Sequence, residues 1–167
     1  MKAIYKRELR SYFTSPIGYV FVAVYLVLSG VLFAYTTLLT AISGGSADIG
    51  TYFTVLRFGF SFLLPLLTMR LFADDRRMKT EQLLLTAPVS IGGMVGAKFL
   101  AAYTVFAGTY AVSALDFLLL YIYNDTSGVV TEKNTAILVG YSIAVLLLGA
   151  AFIAVGVFVS SLTEHQI

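Results

Sequence analysis

The distribution of apolar residues along the chain predicts four membrane-spanning helices. Predominantly apolar runs of at least the 20 or so residues that cross a bilayer occupy residues 17–42, 94–122 and 136–162. A further run at residues 51–70 contains Arg57 but is also long enough to span. The sequence therefore predicts an all-α integral membrane protein with a single transmembrane domain over its 167 residues.

Residues 1–15 are too polar to cross a bilayer, but their apolar and basic side chains separate onto two faces of a helix. The apolar face carries Tyr5, Leu9, Tyr12 and Phe13, and the other face carries Lys6, Arg7 and Arg10. This pattern predicts an amphipathic helix in the inner membrane surface that ends at Ser15-Pro16, since a residue before proline avoids helical geometry. The alternative interpretation is a basic tag without fixed structure.

The positions of the basic residues predict the orientation of the helices. Nine of the eleven lysines and arginines precede the first span or lie between the second and third spans. By the positive-inside rule, the N-terminus and the central loop at residues 71–90 face the cytoplasm. The composition agrees with a membrane protein, because only 12% of the residues are charged. The net charge of +2 does not favour nucleic acid as a partner.

Two charged residues, Arg57 and Asp116, lie in the outer parts of the predicted spans, away from the cytoplasmic ends. Asp116 alone at the bilayer centre would cost about 2.5 to 3.5 kcal/mol, so it needs a partner or a water-filled cavity. Arg57 and Asp116 lie about 8 and 10 Å in from the outer ends of the second and third spans. We therefore predict an intramembrane ion pair between Arg57 and Asp116, with a substrate or proton site at Asp116 as the alternative.

Residues 70–90 form a polar island that contains seven of the twenty charged residues. Thr80 can cap a helix that begins with Glu81, and Pro88 disfavours helical geometry at the residue before it. The predicted helix of about two turns has an apolar face made of Leu83, Leu84 and Ala87. This face indicates either a docking surface for a partner or an interfacial helix with its leucines among the lipid headgroups.

The residues that enzymes use for catalysis are scarce. The chain has no cysteine and one histidine, His165, which together with Glu164 makes neither a structural metal site nor a catalytic triad. Residues 92–99 approach a phosphate-binding loop but lack the glycine before Lys98 and the hydroxyl after it. We predict no catalytic, metal or cofactor site, so energy for any transport must come from another subunit or an ion gradient.

Three stretches together resemble the membrane subunit of type 2 ABC transporters, in particular gliding-motility-type permeases: KRELRSYFTSPIGYV, LFADDRRMKTEQLLLTAPVS and SSLTEHQI. The resemblance implies that residues 71–90 carry the coupling helix that docks on a separate ATPase subunit. Its residues here would be Asp74, Asp75, Arg76, Arg77, Thr80, Glu81, Leu84 and Pro88. Lys79 and His165 depart from the pattern, in which glycine and asparagine are usual. The family commonly has six spans, so we expect the chain to be C-terminally truncated.

The function implied by this resemblance is that of a multi-pass permease in the plasma (inner) membrane, with its N-terminus in the cytoplasm. It would form part of a translocation path with a second permease subunit, in contact with membrane lipid. ATP hydrolysis would be carried out by the separate ATP-binding subunit. The alternative is a small multi-helix membrane scaffold or assembly factor without transport activity.

Overall fold

A computed structural model of the chain describes residues 2–43, 49–77, 91–118 and 132–162. These ranges are helical apart from short turns and contain no strand, which confirms the predicted all-α fold for the described part of the chain. The helices are α1 (Lys2–Thr14), α2 (Pro16–Leu32), α3 (Leu39–Ile42), α4 (Ile49–Arg77), α5 (Ile91–Ala114) and α6 (Glu132–Leu162). A π-helical segment, Phe33–Leu38, joins α2 to α3.

Three helical segments in the described ranges are long and apolar enough to cross a membrane: Gly18–Leu38, Gly92–Leu118 and Thr135–Ser161. They correspond to the first, third and fourth predicted spans. The apolar part of α4, Ile49–Pro65, is shorter. The second predicted span, at α4, therefore stays a prediction.

Helix α4 lies in the centre of the bundle. A line of its side chains at spacings of three and four residues is completely buried: Tyr52, Leu56, Phe60, Leu64 and Leu67. This spacing places all five on one face of the helix, which therefore forms the middle of the hydrophobic core.

Ring contacts give the relative directions of the helices. Tyr52 lies against Phe33, with 6.4 Å between ring centroids, and Phe60 lies against Tyr25 at 5.6 Å. A later residue of α4 therefore contacts an earlier residue of the first helical segment, so α4 runs antiparallel to α2.

Helix α6 runs in the same direction as α4. The Phe53 and Tyr141 rings stack with centroids 5.0 Å apart, and further along both helices Gly156 faces Thr68. A Cβ atom at Gly156 would collide with the Thr68 side chain, so the glycine permits this close approach.

The turn between α1 and α2 folds α1 back against the bundle. Ser15 is extended, with φ −96° and ψ 146°, and Pro16 is the first residue of α2. Gly18 approaches the Tyr12 carbonyl so closely that any Cβ atom would collide with it. Glycine at this position allows the backbones of α1 and α2 to touch.

The predicted amphipathic character of α1 is confirmed in most positions. Tyr12 is buried, Tyr5 and Leu9 pack against the core, and the basic side chains Lys6, Arg7 and Arg10 are exposed. Phe13 is the exception at 53% exposed. The location of α1 in the membrane surface stays a prediction.

Two details of the backbone differ from the sequence prediction. Helix α4 continues to Arg77, so residues 71–77, which we assigned to the loop, are helical. The first span is not uniformly α-helical, because residues Phe33–Leu38 have π-helical hydrogen bonding. Pro65 lies inside α4, where the Thr68 hydroxyl donates to the Leu64 carbonyl at 3.1 Å.

Candidate functional site

A buried ion pair joins α1 to α5. Lys98 Nζ lies 3.4 Å from Glu8 Oε1, and the two side chains are only 1% and 10% exposed. Arg7 Nη2 lies 2.7 Å from the same oxygen, but its side chain is 47% exposed. Since a buried charge is costly without an opposite charge beside it, Glu8 and Lys98 fix the position of α1 on α5.

Two hydrogen bonds extend this contact. The hydroxyls of Tyr5 and Thr104 lie 3.0 Å apart, which adds a second point of attachment to α5. The Tyr12 hydroxyl donates to the Leu67 carbonyl of α4 at 3.4 Å. We call the contacts made by Tyr5, Glu8 and Tyr12 the α1 docking contacts.

The α1 docking contacts connect the two helices on either side of the predicted coupling loop. Helix α4 ends at Arg77 and α5 begins at Ile91. Leu67 and Lys98 are about three and two turns from these helix ends. A displacement of the loop would therefore reach α1 through both helices.

The predicted coupling residues fall into two groups. The backbone of Asp74, Asp75, Arg76 and Arg77 forms the end of α4. The remaining members lie outside the described residues: Thr80, Glu81, Leu84 and Pro88. The docking role of both groups stays a prediction, as does the short helix expected from Glu81 onward.

Arg57 and Asp116 are not brought together. The Arg57 guanidinium lies 5.6 Å from the centroid of the Phe58 ring, and its side chain is exposed. Asp116 is half-buried, and no ion pair joins it to Arg57 in the described part of the chain. The physical reason is the face of α4: Leu56 points into the core, and Arg57 lies about 100° further round the helix.

A group of hydroxyls that we did not predict lies in the core between α2, α4 and α5. The Ser113 hydroxyl donates to Ser29 Oγ at 2.9 Å, and Tyr52 OH lies 3.4 Å from Ser113 Oγ. All three side chains are buried, and the nearby Tyr25 hydroxyl is buried without a hydrogen bond within the described residues. Hydrogen bonds of this kind hold helices together in an apolar environment.

These hydroxyls contribute to the packing of the helices. Among the residues that the structure describes, no cluster of three or more histidine, cysteine, aspartate or glutamate side chains could hold a metal ion. The Ser29, Tyr52 and Ser113 hydroxyls bond to one another and have no imidazole or carboxylate partner in the hydrogen bonds described.

Sequence reasoning missed Glu8 and assigned Lys98 to the cytoplasmic charges that set the orientation. A signal for Glu8 was present, since it lies three residues after Tyr5 and four before Tyr12, on the apolar face of α1. An acidic residue on that face needs a cation opposite it. The sequence did not identify which of the eleven basic residues would supply that cation.

Comparisons of the sequence with protein-family models and curated proteins, and of the fold with solved structures, give no match.

Proposed function

We propose that this chain is the transmembrane permease subunit of an ABC transporter, coupled to a separate ATPase subunit through residues 71–90. The observation that carries the proposal is the set of α1 docking contacts. Through them α1 touches both α4 and α5, the helices that enter and leave the charged loop. The resemblance of the N-terminal, loop and terminal stretches to type 2 permeases supports the same function.

The mechanism follows from the connections between these helices. An ATPase that pulls on the loop would displace the end of α4 and the start of α5 together. The Glu8–Lys98 ion pair and the Tyr12 hydrogen bond would make α1 follow that displacement. Two such permease subunits would then alternate between inward and outward openings as their helices reorient.

In this proposal α4 is the second of four spans. Its contacts support that role, because α4 lies antiparallel to α2 along one side and parallel to α6 along another. If successive spans cross the membrane in opposite directions, the first and second spans are antiparallel and the second and fourth are parallel, as α2, α4 and α6 are. The N-terminus would face the cytoplasm of an inner-membrane protein, as the distribution of basic residues predicts.

Copurification tests the proposal. Tagged wild-type protein extracted from native membranes should bring down a nucleotide-hydrolysing subunit, and Leu84→Asp should release it because it changes the predicted docking face. Leu85→Asp is the matched control, since Leu85 lies apart from that face, and it should retain the partner. Wild-type protein that binds no nucleotide hydrolase would contradict the proposal and favour a membrane scaffold.

A further inference from the structure

A groove open on the surface of the bundle runs between α4 and α6. Its walls are apolar, with Phe53 and Phe60 contributed by α4 and Tyr141, Val145 and Leu148 by α6. Arg57 lines the same groove and supplies a positive charge. The volume is about 160 Å³.

The groove lies within the apolar zone of the bundle. Tyr141, which stacks on Phe53, is about 9 Å along the candidate span that begins at Thr135. Val145 and Leu148 lie further toward the middle of that span. A cation in the apolar zone is unfavourable unless an anion or another polar group lies beside it.

Arg57 has no acidic partner in the described part of the chain. Its guanidinium lies over the face of the Phe58 ring, which gives a cation–π contact but carries no negative charge. The guanidinium is a planar donor group that suits the paired oxygens of a phosphate. An anion at this position would therefore have to come from outside the described residues.

We propose that the groove is a binding site for an anionic membrane lipid, with the lipid phosphate on Arg57 and part of one acyl chain along the apolar wall. The Arg57 guanidinium matches the anionic headgroup of such a lipid, and the apolar wall of the groove matches its acyl chain. The volume favours a single chain segment, since sites for drug-sized ligands occupy about 300 to 1,000 Å³. This site is independent of the ATPase proposal, because none of its residues belongs to the α1 docking contacts or the loop.

Native mass spectrometry of protein extracted from vesicles with equal amounts of phosphatidylglycerol and phosphatidylcholine tests the proposal. Wild-type protein should retain phosphatidylglycerol in preference to phosphatidylcholine. Arg57→Gln should lower that preference by about tenfold or more, because it removes a charge-assisted contact to the lipid phosphate.

A second pair of variants tests the acyl-chain part of the site. Ala144 lines the groove, so Ala144→Leu should fill it and reduce retention of phosphatidylglycerol while Arg57 is still present. Ala151→Leu adds the same volume at an exposed position on α6 outside the groove and should bind as wild type does. Equal retention of the two lipids by wild-type protein, or an unchanged preference in Arg57→Gln, would overturn the proposal.

Discussion

The charged residues of the helices differ in how their charges are compensated. Glu8 and Lys98 lie on facing surfaces of α1 and α5 and form a buried pair. Arg57 and Asp116 have matching predicted depths, but Arg57 lies outside the core face of α4 and the pair does not form. The difference teaches that equal depth is insufficient for an ion pair, because the helix faces must also point toward each other.

Glu8 and Lys98 therefore have a different physical role from Arg57 and Asp116. Glu8 and Lys98 determine where α1 sits relative to the helices that flank the loop. Arg57 is available to a ligand at the bundle surface, and Asp116 is next in sequence to Phe117, whose ring packs against Tyr52 in the core. Double-mutant cycles can separate these roles directly.

The largest expected effect is at the buried pair. Lys98→Met leaves the buried Glu8 carboxylate with the exposed Arg7 as its remaining cation, which should lower the free energy of unfolding by about 3 kcal/mol, the low end for breaking a buried pair. The double variant Glu8→Gln with Lys98→Met should recover most of that loss, since neither charge remains. Unfolding in detergent, followed by circular dichroism, measures both. A double variant that loses the sum of the two single losses would contradict the pairing.

An intermediate effect is expected for the cluster of buried hydroxyls formed by Ser29, Tyr52 and Ser113. Ser113→Ala removes the hydrogen bonds to Ser29 and Tyr52 and leaves both in the core, which should cost about 1 to 3 kcal/mol. Thr109→Ala is the matched control on the same helix, because its buried hydroxyl donates to the Val105 carbonyl of its own helix. The same unfolding assay should show a smaller loss for Thr109→Ala. Equal losses would mean that the interhelical bonds add nothing.

The smallest expected effect is the coupling between Arg57 and Asp116. Because no ion pair joins them, the losses in Arg57→Gln and Asp116→Asn should add to within about 0.5 kcal/mol in the double variant. A coupling energy of several kcal/mol in the same assay would restore the pair that the sequence predicted.

Much of the helical framework could be predicted from the sequence. Long apolar runs and Ser15-Pro16 gave boundaries close to those of α1, of α6 and of the continuous helical stretch formed by α2, the π-helical segment and α3. These features depend on local composition and backbone chemistry, which the sequence displays directly. The π-helical segment Phe33–Leu38 had no local signal, because its residues are as apolar as those around it.

The candidate site was harder to predict, because it depends on contacts between distant parts of the chain. The pairing of Glu8 with Lys98 requires the turn at Ser15-Pro16, the close approach of Gly18 to Tyr12 and the approach of α1 to α5. Depth counting assumed that Arg57 faced Asp116, although Leu56 occupies the core-facing position. Residue spacing gives the faces of one helix, but not which face of the next helix it meets.

Photo-crosslinking at the predicted coupling helix tests the central claim most directly. A photoreactive amino acid at position 84 should crosslink, in native membranes, to a protein that a photoreactive ATP analogue also labels. The same amino acid at position 147, an exposed leucine on α6, should not capture that protein. Capture of a nucleotide-labelled partner from position 84 alone is the predicted result. Absence of any nucleotide-labelled crosslink from position 84 would contradict the account.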